Sequence, residues 1–282
     1  MAAPKPGQEQ NGITTTTISS SSSASSLPFP PPSHLHPSFT MLPAQPADLE
    51  PMCDVYYSAF ATDPGNTFWW PPRREQMMRW LRARVTKKFA DPAVRHYKIV
   101  HAETGQIAAW ASTGGSGAGG GVDVSKDIVP GDGNGNGAGA GGMTASEAPT
   151  TTDEKKNEKQ SSTGLDAPEG VDPAWCEDFF SALKGMHAKW EADQMLGLSL
   201  IATSPDYQRR GAAKALIAPL LAVADRKGLR TYLEATPAGR PVYGKLGFRE
   251  VDSLEFDVKK ITGGKVDVPC RLSIMVREPV KA

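Results

Sequence analysis

The sequence predicts a mixed α/β domain that is interrupted by one long insertion. A buried apolar strand, a glycine-containing turn, a helix and a second strand follow one another over residues 196–235. This order fits two parallel strands joined by a crossover helix. A second pair of apolar segments, 94–102 and 106–112, is separated by the turn residues Glu103-Thr104-Gly105 and predicts a hairpin.

Two segments have the wrong composition for a hydrophobic core. Residues 1–40 are rich in Ser, Thr and Pro, and residues 113–164 are rich in Gly, Ser, Asp and Lys. Neither can bury enough apolar surface to offset its ordering entropy, so both are predicted to be disordered. The remaining residues, 41–112 and 165–282, suit a single domain, with 113–164 as a loop insertion.

The helices are predicted from apolar residues at helical spacing. Asp48 is the expected N-cap of the first helix, which has the apolar positions Leu49, Met52, Cys53, Tyr56 and Phe60. Further helices are predicted over 73–89, 175–193, 211–227 and 241–246. Gly228 is expected to end the third of these. Pro219 lies inside that helix, at a cost of roughly 3 kcal/mol in an ordinary helix interior.

Three further strands complete the expected order: 229–235, 248–253 and 272–276. The strand before the glycine-containing turn, 196–203, is entirely apolar apart from Ser199 and Thr203. Strands and helices therefore alternate through the second half of the chain, and the fold class is α/β (α+β).

Composition excludes several classes of protein. The chain has 31 Lys and Arg against 31 Asp and Glu among 282 residues, which gives no bulk attraction to nucleic acid or anionic lipid. No stretch is long and apolar enough for a membrane span, and no secretory signal core is present. Cys53, Cys176 and Cys270 are distant in sequence and predict reduced thiols in a cytoplasmic or nuclear protein.

The segment Ser204 to Ala213 is the strongest candidate for a binding site. It follows a buried strand and begins a helix, so the first main-chain N–H groups of that helix have no intrahelical partner. Together with the helix dipole they favour an anion such as a pyrophosphate, and Gly211 lets it approach the backbone closely. The alternative is a purely structural turn, because strand–glycine–helix turns are common.

The downstream sequence makes the anion-binding interpretation of this segment more specific. Gln208-Arg209-Arg210-Gly211-Ala212-Ala213 resembles the acetyl-CoA loop of the GNAT superfamily of N-acetyltransferases, written R/Q-x-x-G-x-G/A. Leu233-Glu234-Ala235-Thr236, Tyr243 and Gly247-Phe248 follow in the family's order. The resemblance covers residues 41–112 and 165–282 and is greatest to fungal-type members and to puromycin acetyltransferases. It implies a mostly antiparallel sheet with a central splayed parallel pair, flanked by helices.

The resemblance also implies a set of site residues. Acetyl-CoA would be the co-substrate, without a metal. The main chain of Ile201, Ala202 and Thr203 would bind its pantetheine arm. The pyrophosphate would be held by Gln208, Arg209, Arg210, Gly211, Ala212, Ala213 and Lys214.

The two catalytic candidates have different standing in the family's pattern. Tyr243 corresponds to the family's tyrosine that protonates the leaving thiolate, with half-buried packing as its alternative role. Many relatives supply a general base from the strand that here spans 196–203, which has no carboxylate. Glu234 on the neighbouring strand is the best substitute, with a structural role as its alternative. Glu177 and Asp178 on the preceding helix are further candidates.

Several motifs are discounted. Gly115 to Gly120 fits G-x-G-x-x-G without a strand–turn–helix context. Asp132 to Gly137 imitates a calcium loop, but Met143 stands where the loop needs a glutamate. The five histidines form no ligand cluster. Phe68, Trp69 and Trp70 are assigned either to an acceptor groove or to the core.

The expected function is N-acetylation of an amine, either a small molecule or a polypeptide, by direct attack in a ternary complex. A GNAT-fold protein that binds acetyl-CoA or CoA without turnover is the main alternative. Another acyl group or a hydroxyl acceptor is the third. The sequence leaves the oligomeric state open.

Overall fold

The computed structural model describes residues 27, 29, 32–92, 94–114 and 167–281. Most of the two segments predicted to be disordered lies outside these residues, as do the Gly115 to Gly120 and Asp132 to Gly137 motifs. The described strands are β1 (Phe39–Pro43), β2 (Val94–His101), β3 (Ile107–Gly114), β4 (Leu196–Thr203), β5 (Thr231–Ala235), β6 (Arg249–Phe256) and β7 (Cys270–Arg277).

The described helices are α1 (Leu49–Phe60), α2 (Pro64–Thr67), α3 (Arg74–Phe89), α4 (Pro173–Lys189), α5 (Ala212–Lys227), α6 (Arg240–Gly244) and α7 (Val258–Ile261). Every predicted helix and strand is confirmed within a few residues at its ends. Pro219 lies inside α5 as predicted, and Gly228, with a φ of 66°, ends that helix.

The seven strands form one sheet in the order β1-β2-β3-β4-β5-β7-β6. All neighbours are antiparallel except β4 and β5, which are parallel. This confirms the mixed, mostly antiparallel α/β fold. The hairpin of β2 and β3 is confirmed as the second and third strands of the sheet.

Helices cover both faces of the sheet. On one face α5 packs on a core that includes Tyr97, Ile99, Leu216 and Leu233. On the other face α1, α3 and α4 bury a second core around Met52, Leu81, Trp110 and Phe179. Because the two faces bury separate cores, the central strands have apolar residues on both sides, as predicted for 196–203.

Two local predictions differ from the structure. Strand β1 begins at Phe39, where the sequence predicted the domain to begin near 41, and Phe39 and Met41 are buried against the α5 side. Asp48 precedes α1, but its carboxylate does not cap that helix. It accepts hydrogen bonds from the Gln45 N–H (2.7 Å) and from Lys98 Nζ (2.6 Å) instead. An ion pair to a neighbouring strand has replaced the expected cap.

The three cysteines are free and buried. Burial raises the pKa of Cys53 to about 11 and the pKa of Cys176 and of Cys270 to about 12. Thiols with such pKa values are poor nucleophiles at neutral pH, so their role is packing.

Candidate active site

Strands β4 and β5 pair only at their N-terminal ends. The register joins Leu196 to Thr231 and Gly197 to Tyr232 and goes no further. From Leu198 to its end β4 pairs with β3, while β5 pairs with β7. A wedge-shaped gap therefore opens between the two parallel strands, as the family resemblance implied.

The main chain of β4 has unpaired polar groups along this gap. The N–H of Ser204 donates to the carbonyl of Ala108 on β3, at 2.9 Å. Since the two sides alternate along a strand, the main chain of Ala202 also faces β3, and that of Ile201 and Thr203 faces the gap. Of the three residues predicted to bind through their main chain, Ile201 and Thr203 thus face the gap and Ala202 faces β3.

The first main-chain N–H groups of α5 have no partner within the helix. Gly211 is its N-cap, with a φ of 84° and no side-chain cap. The first intrahelical bond joins the N–H of Ala215 to the carbonyl of Gly211, at 3.0 Å. The N–H groups of Ala212, Ala213 and Lys214 consequently have no helical partner, and the helix dipole adds positive potential there. This arrangement can bind an anion.

The loop before α5 adds exposed polar side chains. Gln208 Nε2 lies 3.5 Å from the Thr203 carbonyl and connects the loop to the end of β4. Arg209 has a φ of 61°, which is unusual for a residue with a side chain. The Arg210 guanidinium lies 5.7 Å from the centre of the Tyr207 ring. Both arginines are exposed and have no ion pair within the described part of the chain.

Tyr243, the predicted acid, lies on α6 and packs on the core under α5. Its ring meets Phe248 edge to face, with the ring centres 5.9 Å apart. A Cβ added to Gly239 would lie 3.0 Å from Tyr243 Cε2, so a glycine at 239 lets the ring sit this close. Burial raises the pKa of Tyr243 to about 12, which keeps the phenol protonated at neutral pH.

Glu234, the predicted base, shares one side of β5 with Tyr232, two residues earlier. Burial raises the pKa of Glu234 above its usual value, and the nearby Tyr232 lowers it by less. A carboxylate with a raised pKa is the better proton acceptor at neutral pH.

Glu234 and Tyr243 lie on opposite sides of the sheet. Leu233 and Ala235 face the core under α5, the same core on which Tyr243 packs. Glu234 lies between them in sequence and therefore points to the α4 side, as does Tyr232, which meets His187 of α4 edge to face. A group lying in the gap would thus have the phenol on one side and the carboxylate on the other.

The other predicted residues have different surroundings. Glu177 and Asp178 are exposed on α4. Phe68 and Trp69 are buried in the core beneath α1, α3 and α4, while Trp70 is half-buried beside Tyr56 and Tyr57. Of the two roles considered for this aromatic trio, the structure gives Phe68 and Trp69 the core role.

Two basic residues of α3 were not singled out from the sequence. Lys88 Nζ donates a hydrogen bond of 2.6 Å to Ser199 Oγ on β4. Arg84, one helical turn earlier, stacks on aromatic rings of α3 and α4. The spacing of four residues puts both cations on one face of α3, which is the only sign of the pair that the sequence contains.

Within the described residues no group of three or more His, Cys, Asp or Glu is arranged to hold a metal ion. The same part of the chain contains no helix long and apolar enough to cross a membrane.

Residues 181–264 match the family model described as the acetyltransferase (GNAT) domain. The fold is similar to that of arylalkylamine N-acetyltransferase 2 from Aedes aegypti, with 14% identity, a TM-score of 0.51, and 85% of this chain and 98% of that chain covered. It is also similar to the C-terminal condensation domain of Ebony in complex with beta-alanyl-dopamine, with 11% identity, a TM-score of 0.52, and 86% and 99% covered. No curated protein sequence matches the chain.

Proposed function

We propose that this chain, whose residues 181–264 match the acetyltransferase (GNAT) domain model, transfers the acetyl group of acetyl-CoA to an amine by direct attack in a ternary complex. The observation that carries the proposal is the gap between β4 and β5, which ends at the free N–H groups of α5. An extended arm with main-chain partners and a pyrophosphate fits these two features in that order.

In this proposal Ile201 and Thr203 bind the pantetheine arm through their main chain. The N–H groups of Ala212, Ala213 and Lys214 hold the pyrophosphate. Gln208, Arg209 and Arg210 add hydrogen bonds and charge from the loop, and Gly211 supplies the left-handed turn that α5 needs at its start. The thioester then lies toward the closed end of the gap.

The reaction requires three proton movements. The amine must be neutral to attack the thioester carbon, so its ammonium proton passes to Glu234 directly or through a water and from there to solvent. The C–N bond forms, the C–S bond breaks, and the thiolate takes a proton from Tyr243. The second proton that the nitrogen loses on becoming an amide returns to the tyrosinate through water and restores the phenol. The products are the amide and CoA. Opposite faces of the sheet supply the acid and the base, so the two do not exchange protons with each other.

The cofactor site is tested with the substitution Gly211→Glu. The new carboxylate would stand where the pyrophosphate is bound, and we expect the affinity for acetyl-CoA and CoA, measured by isothermal titration, to fall by more than about 100-fold. Gly228→Glu is the matched control, because Gly228 also has a positive φ, of 66°, at the other end of the same helix.

The control should lose stability through backbone strain and yet keep its cofactor affinity. Equal affinity losses in the two variants would mean that strain, and not the phosphate site, explains the effect. Absence of acetyl-CoA binding to the unaltered protein would overturn the proposal.

A screen of amines with detection of released thiol then separates the alternatives. Release of CoA that depends on an amine supports N-acetylation. Tight binding of acetyl-CoA with no transfer to any amine or alcohol would establish a binding protein without turnover. Transfer only from longer acyl-CoA esters, or only to alcohols, would identify a different acyltransferase.

A further inference from the structure

Arg84 is a cation without a counter-ion in the described part of the chain. Its guanidinium lies 5.1 Å from the centre of the Trp80 ring and 5.4 Å from that of Phe180. It makes no hydrogen bond or ion pair with any described residue, and burial lowers its pKa. Stacking on two rings offsets part of the cost of its partial desolvation, but no described residue accepts a hydrogen bond from any of the five N–H donors of the guanidinium.

Lys88 is a second such cation on the same face of α3. Its ammonium donates to the neutral hydroxyl of Ser199 and has no ion pair with the described residues. Burial, and then the charge of Arg84, lower the pKa of Lys88 to about 8, while Asp91 opposes this shift. Two positive charges are thus held together in a partly dehydrated place, although each weakens the other.

The two cations lie beside the closed end of the gap. Ser199 follows Gly197, the last residue of β4 that pairs with β5, by two positions. The register between β3 and β4 shifts here, since Thr113 pairs with Leu198 and Ser112 with Leu200. Ser199 is therefore the extra residue of a bulge, and its side chain is turned toward α3.

These positions separate the cations from the phosphate groups of the cofactor. The anion site at α5 follows the C-terminal end of β4, whereas Ser199 is near its N-terminal end. Four residues of extended chain, or about 13 Å, lie between Ser199 and Thr203. The charges of Arg84 and Lys88 therefore suit a second anionic group, on the side of the sheet that Glu234 faces.

We propose that the amine acceptor carries a carboxylate, and that Arg84 and Lys88 bind this carboxylate beside the closed end of the gap. This inference rests on the proposed function. A planar carboxylate matches the fork of Arg84, and the ammonium of Lys88 adds a point charge. The rings of Trp80 and Phe180 exclude water and so strengthen the contact.

The test uses pairs of amines that differ in the carboxylate alone. Phenylalanine, tyrosine and β-alanine are each compared with the corresponding amide, and kcat/KM is measured for every compound. We expect Arg84→Met to lower kcat/KM for the acids by about 10- to 100-fold and to change the values for the amides little. For each compound, kcat/KM in Arg84→Met is divided by its value in the unaltered protein. This ratio removes the influence of the different basicities of the acid and its amide.

Arg82→Met is the control on the same helix. Arg82 is exposed and paired with Glu50 at 2.6 Å, so its loss should leave the preference for acids unchanged. A second readout is thermal stability. Because Arg84 is desolvated and unpaired, Arg84→Met should keep or raise the melting temperature, whereas loss of a structural arginine would lower it.

The outcomes distinguish this inference from the proposed function. Equal kcat/KM for acids and amides in the unaltered protein, or equal losses of both in Arg84→Met, overturns the carboxylate site while N-acetylation stands. If no amine is acetylated, the proposed function fails, and titration of the same acids and amides into the complex with CoA decides the inference. Acid binding that Arg84→Met weakens supports it, and the absence of acid-selective binding overturns it.

Discussion

Strand β4 has a polar site at each end, and the two are built differently. Beyond its C-terminal end the hydrogen-bond donors are main-chain N–H groups of the first turn of α5. Their positions are set by the short loop that contains Gly211. Near its N-terminal end the polar groups are the side chains of Arg84, Lys88 and Ser199, from two elements more than 100 residues apart. The first site desolvates no charged side chain. The second one does, and so lowers the stability of the free protein.

The comparison shows two ways of holding an anion in one fold. A main-chain site is fixed by local backbone conformation and is stable without its ligand. A side-chain site made of desolvated cations becomes favourable when its anion arrives.

The largest effect in this comparison is expected at Tyr243, which the family resemblance pointed to. Tyr243→Phe should lower kcat by about 100-fold and leave CoA affinity unchanged, because the thiolate would depart without its proton donor. Tyr97→Phe is the control, since burial raises the pKa of Tyr97 to about 12 as well. An unchanged kcat in Tyr243→Phe would remove Tyr243 from the mechanism.

Replacing Lys88 is expected to have an effect of similar size in free energy, but on the stability of the fold at alkaline pH. Its pKa is about 8 in the folded protein and 10.5 in an unfolded chain. The unfolded chain therefore binds more protons between these pH values, and the free energy of unfolding rises with pH in this window. Relative to Lys88→Met, the unaltered protein should gain about 3 kcal/mol between pH 8 and 10.5.

This gain is measured by denaturant unfolding at several pH values. Lys87→Met is the matched control, because Lys87 is the exposed neighbour on α3. A free-energy difference between the unaltered protein and Lys88→Met that stays constant with pH would show that Lys88 is not desolvated, and the contrast between the ends of β4 would weaken.

The smallest effect is expected at Lys214. Its side chain is exposed, so Lys214→Gln should weaken CoA binding by only about threefold at low salt, and by less at 0.5 M salt because of screening. Isothermal titration at both salt concentrations measures this. A loss beyond tenfold that salt does not reduce would mean that the side chain, and not the main chain, dominates the phosphate site.

The contrast between a site built from one continuous segment and a site built from distant side chains explains which parts could be predicted from the sequence. Strand β4, Gly211, α5 and β5 follow one another along the chain, so apolar periodicity and turn residues identified them. Tyr243 follows them, and its role was implied only by the family resemblance. The gap was implied only through the family resemblance. It is shaped by how far β4 and β5 pair, which no local pattern encodes.

The features that the sequence did not reveal depend on distant partners. Strand β1 has five residues and a proline at its end, and it is held by pairing with β2. Asp48 has the right residue type for a cap, but Lys98 on β2 is a stronger partner than the free N–H groups of α1. Arg84 and Lys88 resemble the solvent-exposed charges of any helix until α4 and β4 are packed against them.

The short pairing between β4 and β5 also has a mechanical meaning. Strands β1, β2, β3 and β4 form one half of the sheet, and β5, β6 and β7 form the other. Only two residue pairs, both between β4 and β5, connect the two halves. Helix α5 packs across this boundary on one face of the sheet. A pantetheine arm bound in the gap would add main-chain hydrogen bonds where β4 and β5 do not pair. The bound co-substrate would then stabilise the contact between the two halves of the sheet, and this contact would be strongest while the acyl-CoA is bound.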